Sequence, residues 1–212
     1  MKCLICSRDS QYFEDTKHHI VYFECSSCQF VMKSPENFSN FIEQKERYDL
    51  HNNDENDAGY QAYFQRFIDF VLPDIARPKS ALDFGCGVSS LLSQMIGRDG
   101  VSCDYYDPIY HPDDSYADQS YDLIMSVEVF EHLHNPREVF EMLSNHLTPQ
   151  GYLAIQTAFY LNDRERFLHW HYRLDPTHVV FFSMRSFEVL AKQAGLVIVK
   201  SNSKNMILLK KV

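Results

Sequence analysis

The chain has 212 residues, 45% hydrophobic and 23% charged, which leaves room for one full globular domain and a small appendage. The net charge is −9 and no Lys/Arg cluster suited to a phosphate backbone stands out, which argues against a nucleic-acid partner. No apolar run approaches the roughly 18 residues of a membrane span, and the first residues lack the apolar segment of a signal peptide. We therefore expect a cytoplasmic protein with no membrane contact, whose oligomeric state stays open.

Two cysteine pairs dominate residues 1–34. Cys3-x-x-Cys6 and Cys25-x-x-Cys28 are separated by 18 residues, which is typical of a four-thiolate zinc site. Cytoplasmic thiols stay reduced, so these pairs suit a metal better than disulfides. Four thiolates leave no position for water or substrate, so the pattern predicts a structural zinc ribbon over residues 1–34, stabilised by its metal. Free reduced thiols are the alternative.

A helical connection is predicted for residues 35–78. The apolar residues between Tyr60 and Leu72 recur at helical spacing, and Pro73 and Pro78 close that helix. The polar stretch 51–59 is expected to be an exposed loop.

Residues 79–212 alternate strand-like and helix-like segments. The predicted strands are 80–84, 101–106, 122–127, 152–157, 196–200 and 206–211, and the helices cover 89–96 and begin after Asn135 and Ser183. Asn135, Pro136 and Glu138 form the pattern of a capping box. The last two strands are too close in sequence for a parallel crossover, so they must be antiparallel. The pattern predicts an α/β fold with a mostly parallel sheet covered on both faces and a reversed last strand.

The chemistry-bearing motif is Asp83-Phe84-Gly85-Cys86-Gly87, between a strand and a helix. Glycines there let the backbone turn and approach a ligand, and the helix N-terminus offers N–H groups to a carboxylate. A dinucleotide fingerprint would carry a third glycine at the place of Ser90, and Asp83 would sit poorly beside a pyrophosphate. The motif therefore disfavours a nicotinamide-dependent oxidoreductase, while a tight turn without a ligand remains an alternative.

Four motifs in order, over residues 60–212, resemble those of class I S-adenosylmethionine (SAM)-dependent methyltransferases. They are the glycine motif, Asp107 after the next strand, the strand from Tyr121 with its Val-x-Glu-His-like continuation, and Leu147-Thr148-Pro149 before the following strand. The resemblance implies a Rossmann-like, seven-stranded type of sheet. Ser89 replaces a common third glycine, and only 13 residues separate Asp107 from Tyr121, which leaves little room for the usual third strand.

The resemblance also implies a cofactor site for SAM. In that family the first acid holds the methionine moiety, the glycine loop lies under the cofactor, and the second acid binds the ribose. The residues carried over are Asp83, Gly85, Cys86, Gly87, Asp107, Ser126, Val127 and Glu128. Weaker candidates are Asp114 and Ser115 for adenine and Tyr60 or Arg66 for the cofactor carboxylate. Alternatively, Asp107 only begins an Asp-Pro turn, and Glu131-His132 only caps the strand-to-helix connection.

The acceptor site is expected in residues 159–179, after the C-terminal end of a strand, where open α/β sheets bind ligands. This segment resembles the W-x-Y and D-x-T-H stretch of some such methyltransferases. A hydroxyl or carbon acceptor needs a general base, and histidine suits that role at neutral pH. His178 is the first candidate, His132 the second, and Arg173 is a candidate for binding an acidic acceptor. The alternative is that the aromatic residues of this segment only pack a surface loop and its histidines only form local bonds.

The sequence thus predicts a methyltransferase that acts on an unidentified small-molecule acceptor. A zinc ribbon before such a core resembles a subset that includes deoxysugar C-methyltransferases, but those carry a further C-terminal domain, so no sugar substrate follows. The alternative from another class is an inactive adaptor that recruits a partner through the ribbon.

Overall fold

The computed structural model describes residues 1–50, 54–98 and 100–212, so residues 51–53 of the predicted polar loop lie outside the described residues. The described strands are β1 (Gln11–Asp15), β2 (Ile20–Glu24), β3 (Val31–Lys33), β4 (Ser80–Phe84), β5 (Ser102–Tyr106), β6 (Tyr121–Val127), β7 (Leu147–Gln156), β8 (Val180–Phe181), β9 (Leu196–Ser201) and β10 (Met206–Lys211). The described helices are α1 (Phe41–Tyr48), α2 (Ala58–Val71), α3 (Leu91–Gly97), α4 (Pro136–Asn145), α5 (Arg164–Leu168) and α6 (Met184–Gln193).

The larger sheet has the strand order β5-β4-β6-β7-β10-β9. Its first four strands are parallel, and β10 runs antiparallel to both β7 and β9. This confirms the predicted mostly parallel sheet with a reversed last strand. In the described residues this sheet has six strands, because the short link from β5 to β6 holds only a 3-10 turn over Ser115–Asp118.

Helices cover both faces of the larger sheet, as its alternating side chains require. On one face, Leu123 and Met125 of β6 pack with residues of α2 and α3. On the other face, Ile124 packs with residues of α4 and α6. None of the helices in the described ranges combines the length and apolar character that a bilayer crossing requires.

Of the two predicted helix caps, the structure shows the one at Ser183 and not the one at Asn135, and it adds a cap at Asp57. Asp57 caps α2 by accepting the Tyr60 N–H at 2.8 Å, and Ser183 caps α6 in a capping box with Ser186. The capping box predicted for α4 is wrong, although Pro136 does begin that helix. Asn135 has φ −127° and ψ 65°, outside the extended conformation typical of an N-cap, and its side chain makes no capping bond.

The smaller sheet, in the order β1-β2-β3-β8, joins the N-terminal region to the strand that follows the predicted acceptor segment 159–179. All its pairs are antiparallel, and Val31 of β3 faces Phe181 of β8. The ribbon therefore takes its last strand from far along the chain. The division of the chain into a ribbon, a helical connection and a core, with boundaries after residues 34 and 78, stays a prediction.

Candidate functional site

A cavity of roughly 570 Å³ lies at the carboxyl ends of β4, β5 and β6, the edge where such sheets bind ligands. The turns after these three strands supply most of its lining. Helices α1 and α2 and the turn before β8 complete it. The residues discussed below that line the cavity are Tyr48, Tyr60, Tyr63, Asp83, Gly85, Cys86, Gly87, Asp107, Val127, Glu128, Glu131, His132, Asp175 and His178.

The turn after β4 requires glycine and brings bare backbone to the cavity. Gly85 and Gly87 have φ of 81° and 68°, in the left-handed region that favours glycine. A Cβ on Gly85 would lie 2.2 Å from Cγ2 of Val129, so that position admits no side chain without rearrangement. A Cβ on Gly87 would meet nothing within 4 Å. The backbone at Gly87 thus leaves space that a ligand can fill.

Asp83, the last residue but one of β4, has a buried carboxylate whose Oδ2 atom lacks a partner among the described residues. Its side chain is 2% exposed, and among the described residues no group hydrogen-bonds to Oδ2. Burial raises the pKa of Asp83 to about 7; the charge of Asp107 adds to this, and the Ser93 N–H offsets part of it. A buried carboxylate without a partner is costly. A cationic donor on a ligand would satisfy it.

Asp107 connects the end of β5 to the glycine turn. Its Oδ1 accepts the N–H groups of Ile109 at 2.8 Å and Tyr110 at 3.0 Å, as the Asp-Pro turn interpretation requires. Its Oδ2 accepts the Gly87 N–H at 3.2 Å and the residue lines the cavity. Asp107 therefore both begins an Asp-Pro turn and lines the cavity.

Glu128, after β6, is held by residues far away in sequence. It has a left-handed φ of 54°, a costly conformation for a residue with a side chain. The Tyr63 hydroxyl donates to its Oε1 at 2.8 Å. The Gln156 amide donates to the same Oε1 and to the Tyr63 hydroxyl. Burial raises the pKa of Glu128 to about 8, and the charge of Glu131 adds to the shift.

The two predicted bases, His132 and His178, lie together, with ring centres 4.9 Å apart. The Nδ1 atom of His132 is 2.9 Å from the Thr177 carbonyl oxygen, and that of His178 is 2.7 Å from the Tyr172 carbonyl oxygen. Because a carbonyl only accepts, each Nδ1 carries the proton and each Nε2 keeps a free lone pair. Burial lowers the pKa of both, to about 3 for His178, where the nearby His132 contributes. Both imidazoles are neutral at pH 7.

The turn that carries His178 is anchored through Asp175. Two N–H groups of Arg47 donate to its Oδ2 at 3.0 and 2.8 Å, while the N–H and hydroxyl of Thr177 donate to its Oδ1. The Lys33 ammonium donates to the Asp175 carbonyl at 2.8 Å. Burial alone would raise the pKa of Asp175, but Arg47 and Thr177 hold it well below its usual value.

Arg173 does not face the cavity, and the prediction that it binds an acidic acceptor is wrong. Its side chain is 1% exposed and forms an ion pair with Asp15 at 2.6 Å. It also donates to the Phe167 carbonyl at 2.8 Å, the Tyr22 hydroxyl at 3.0 Å and the Leu168 carbonyl. The guanidinium is drawn inward because these acceptors surround it.

The aromatic part of residues 159–179 packs on the ribbon. Phe167 and Tyr160 belong to the same buried cluster as Phe13 and Tyr22 of the ribbon strands. Of the predicted acceptor segment, Asp175 and His178 line the cavity at the carboxyl ends of the strands.

The other sequence candidates divide between the cavity and its surroundings. Cys86, Val127 and Tyr60 line the cavity. Burial raises the pKa of the Cys86 thiol, which disfavours a nucleophilic role. Residues outside the lining are Ser126, which is fully buried, and Asp114, Ser115 and Arg66, which are exposed.

Sequence reasoning missed several cavity residues. Tyr63 appeared only as part of the apolar stripe of α2, and Tyr48 carried no motif. Glu131 was interpreted as a possible cap, although it lies in the cavity lining. Its position next to His132 in the motif was the available signal.

The four N-terminal cysteines form two matching turns. The Cys3 N–H donates to the Arg8 carbonyl and the Cys25 N–H to the Phe30 carbonyl, both at 2.8 Å. The residues after the second cysteines, Ser7 and Gln29, have left-handed φ of 60° and 56°. The N-terminal turn and the β2–β3 turn thus share the same backbone geometry around their cysteines.

The sulfur geometry fits one tetrahedral ion. The Sγ atoms of Cys3 and Cys28 are 3.5 Å apart, those of Cys6 and Cys25 are 3.4 Å apart, and none of these thiols forms a disulfide. All four sulfurs lie within 4.8 Å of one another. Zinc–sulfur bonds of about 2.3 Å place tetrahedral sulfurs about 3.8 Å apart, so the residues fit Zn²⁺.

The two cysteine turns pack against the rest of the molecule at α6. The hydroxyls of Ser183 and Ser186 donate to the Cys28 carbonyl at 3.3 and 3.0 Å, and the Gln193 amide donates to the Ile5 carbonyl at 3.3 Å. These contacts connect the cysteine turns to α6.

Comparisons with known proteins give a family and a fold. A family model described as a methyltransferase domain matches residues 57–201. No curated protein matches. An O-methyltransferase family protein from Burkholderia thailandensis has a similar structure, with TM-score 0.54 and 15% identity, over 79% of this chain and 62% of that one.

Two further solved structures contain S-adenosylhomocysteine (SAH). Magnesium protoporphyrin IX methyltransferase from Synechocystis PCC 6803 has TM-score 0.53 and 14% identity, over 81% of this chain and 94% of that one. The N-methyltransferase NodS from Bradyrhizobium japonicum WM9 has TM-score 0.53 and 13% identity, over 81% and 99%. At these identities the likeness shows the fold.

Proposed function

Because the chain belongs to the methyltransferase-domain family and has the fold of SAM-dependent methyltransferases, we propose that it transfers a methyl group from SAM to a small organic acceptor in the cavity. The buried Asp83 carboxylate beside an open glycine turn carries this proposal, because its Oδ2 atom has no partner among the described residues. One structural neighbour is a methyltransferase of magnesium protoporphyrin IX, which supports a small-molecule acceptor.

The proposed cofactor contacts follow from this placement. Asp83 binds the ammonium group of the methionine moiety, because its Oδ2 has no partner among the described residues. Gly85, Cys86 and Gly87 provide backbone for close approach, and Asp107 at the end of β5 binds the ribose hydroxyls. Val127 and Glu128 line the same cavity, and Ser126 supports them from within β6.

SAM, when bound, supplies a methyl group on a sulfonium. The residues of the chain then have to align the acceptor and exclude water. His178, with His132 beside it, is proposed to face the acceptor and take up its proton at Nε2. A histidine of such low pKa is a weak base, so the acceptor must be acidic already or be made acidic by another group.

The four cysteines are proposed to bind one structural zinc ion. Their fit to a tetrahedron and the burial of Cys3, Cys25 and Cys28 support a site that is closed to substrate. Reduced thiols of this kind suit the cytoplasm, which supports the expected location.

A thermal-shift measurement with SAM, SAH and NAD tests the proposal. At 100 times the dissociation constant a ligand adds about 2.7 kcal/mol of stability, which corresponds to a rise in Tm of about 5–10 °C for a chain of this size. We expect this rise with SAM and SAH and none with NAD. A folded protein that responds to neither SAM nor SAH would contradict the proposal and favour the inactive adaptor.

A further inference from the structure

We propose that Glu131, His132 and His178 form a metal site, distinct from the cysteine cluster, that binds one divalent transition-metal ion in the cavity. Their donor atoms all lie within 4.8 Å of one another, and all three residues line the cavity. Neither family membership nor the fold assigns this site.

The two histidines are already arranged as ligands. Each donates its Nδ1 proton to a backbone carbonyl, at Thr177 for His132 and at Tyr172 for His178. Metal-bound histidines usually make such a second hydrogen bond, because it fixes the ring and leaves the Nε2 lone pair for the ion. The two Nε2 atoms lie in the same small group as the Glu131 carboxylate.

Glu131 supplies the independent observation. Its side chain is fully buried, and within the described ranges neither carboxylate oxygen has a partner in hydrogen-bonding geometry. The hydroxyls of Tyr172 and Thr157 and the carboxyl group of Glu128 lie nearby and interact with this carboxylate without meeting that geometry. A buried carboxylate is expected to be paired or to coordinate a metal, and a divalent ion meets that requirement.

The backbone holds the ligand-bearing segments together. The Val179 N–H donates to the Glu131 carbonyl at 2.8 Å, so the turn after β6 and the turn before β8 are joined at the site itself. The His132 Nε2 atom lies 3.9 Å from the nearer Glu131 oxygen. Bonds of about 2.1 Å place ligand atoms about 3.4–4.2 Å apart, so side-chain shifts of about 1 Å complete the site.

The donor set selects the kind of ion. Two imidazoles and one carboxylate suit Zn²⁺, Mn²⁺, Co²⁺ or Fe²⁺, whereas Mg²⁺ prefers oxygen ligands only. Three protein ligands leave coordination positions open to the cavity. If the proposed methyl transfer holds, those positions would take an acceptor oxygen, whose proton such an ion makes more acidic, so that the proton can pass to solvent. In the metal-bound protein His132 and His178 then serve as ligands and not as the base proposed above, because the ion occupies their Nε2 lone pairs.

The test uses the full chain with its cysteine site loaded with zinc, which elemental analysis verifies before and after each titration. Mn²⁺ is added and the electron paramagnetic resonance signal of the free ion is followed, because Mn²⁺ prefers oxygen and nitrogen to thiolates. We expect one bound Mn²⁺ per chain, with enhanced water-proton relaxation that reports open positions. Glu131→Gln, which keeps the side-chain volume, and His178→Ala should each weaken binding at least about tenfold.

The control variant is His171→Ala, which removes an exposed histidine in the same segment and should leave Mn²⁺ binding unchanged. SAM binding, measured on the same samples, reports the fold and the proposed function separately. Absence of Mn²⁺ binding by zinc-loaded wild-type protein, or equal binding by all variants, would overturn the metal site even where SAM still binds.

Discussion

Arg173 provides the sharpest test of how the ribbon is attached to the rest of the molecule. We expect Arg173→Met, which keeps an apolar side chain of similar reach, to destabilise the protein strongly. The substitution removes the ion pair with Asp15 and the hydrogen bonds to three further acceptors. It leaves Asp15, which is only 7% exposed, without the guanidinium that pairs with its carboxylate.

The magnitude follows from that burial. Removing one partner of a buried ion pair costs about 3–5 kcal/mol, because the other charge stays buried and uncompensated. Asp15 retains its bonds from His18 and the Lys17 N–H, which places the expected loss toward the lower end, at about 3 kcal/mol. Packing of the aromatic cluster around Phe167 and Tyr22 should suffer with it.

The assay is urea denaturation of zinc-loaded protein, followed by far-UV circular dichroism. Arg185→Met is the matched control, because Arg185 and its partner Glu188 are both about half exposed. An exposed pair of this kind contributes at most about 0.5 kcal/mol. A decrease in the free energy of unfolding of less than about 1 kcal/mol for Arg173→Met would refute the argument that this guanidinium secures the ribbon to residues 159–179.

Three further predictions concern the cavity and the cysteine site. Gly85→Ala should cost about 2 kcal/mol or more in urea denaturation and weaken SAM binding, owing to its left-handed φ and the clash with Val129, whereas Gly97→Ala, with open space, should be nearly neutral. SAM affinity should fall up to about tenfold per pH unit below pH 7, because protonation of Asp83, with a pKa of about 7, removes the charge that binds the ammonium group; a pH-independent affinity would contradict this. Elemental analysis should find a zinc ion bound to the cysteines of the wild-type chain, and Cys25→Ser should release that ion and lower Tm; unchanged zinc content would contradict the four-thiolate site.

The architecture was largely predictable because its signals are local. The glycine motif, the alternating strands and the short final turn determine the parallel sheet and its reversed strand, and both were confirmed. The sequence also indicated that the usual third strand has little room, because only 13 residues separate Asp107 from Tyr121, and the described part of the sheet has six strands. The cap at Asn135 was mispredicted because residue type alone does not fix the backbone angles at a helix start.

The site was only partly predictable because its contacts span the chain. Asp83 and Asp107 stand in a motif, but the bond from Tyr63 to Glu128 crosses 65 residues. Arg173 resembles a binding residue in sequence, and only the pairing of β3 with β8 brings it to Asp15. The complete burial of Glu131 is likewise a property of packing that its motif does not encode.

Calorimetric titration of the zinc-loaded chain with SAM and SAH tests the central claim most directly. The account predicts micromolar binding of both, abolished by Asp83→Ala because the carboxylate that meets the ammonium group is removed. No binding of either ligand to well-folded, zinc-loaded protein would contradict the methyltransferase function.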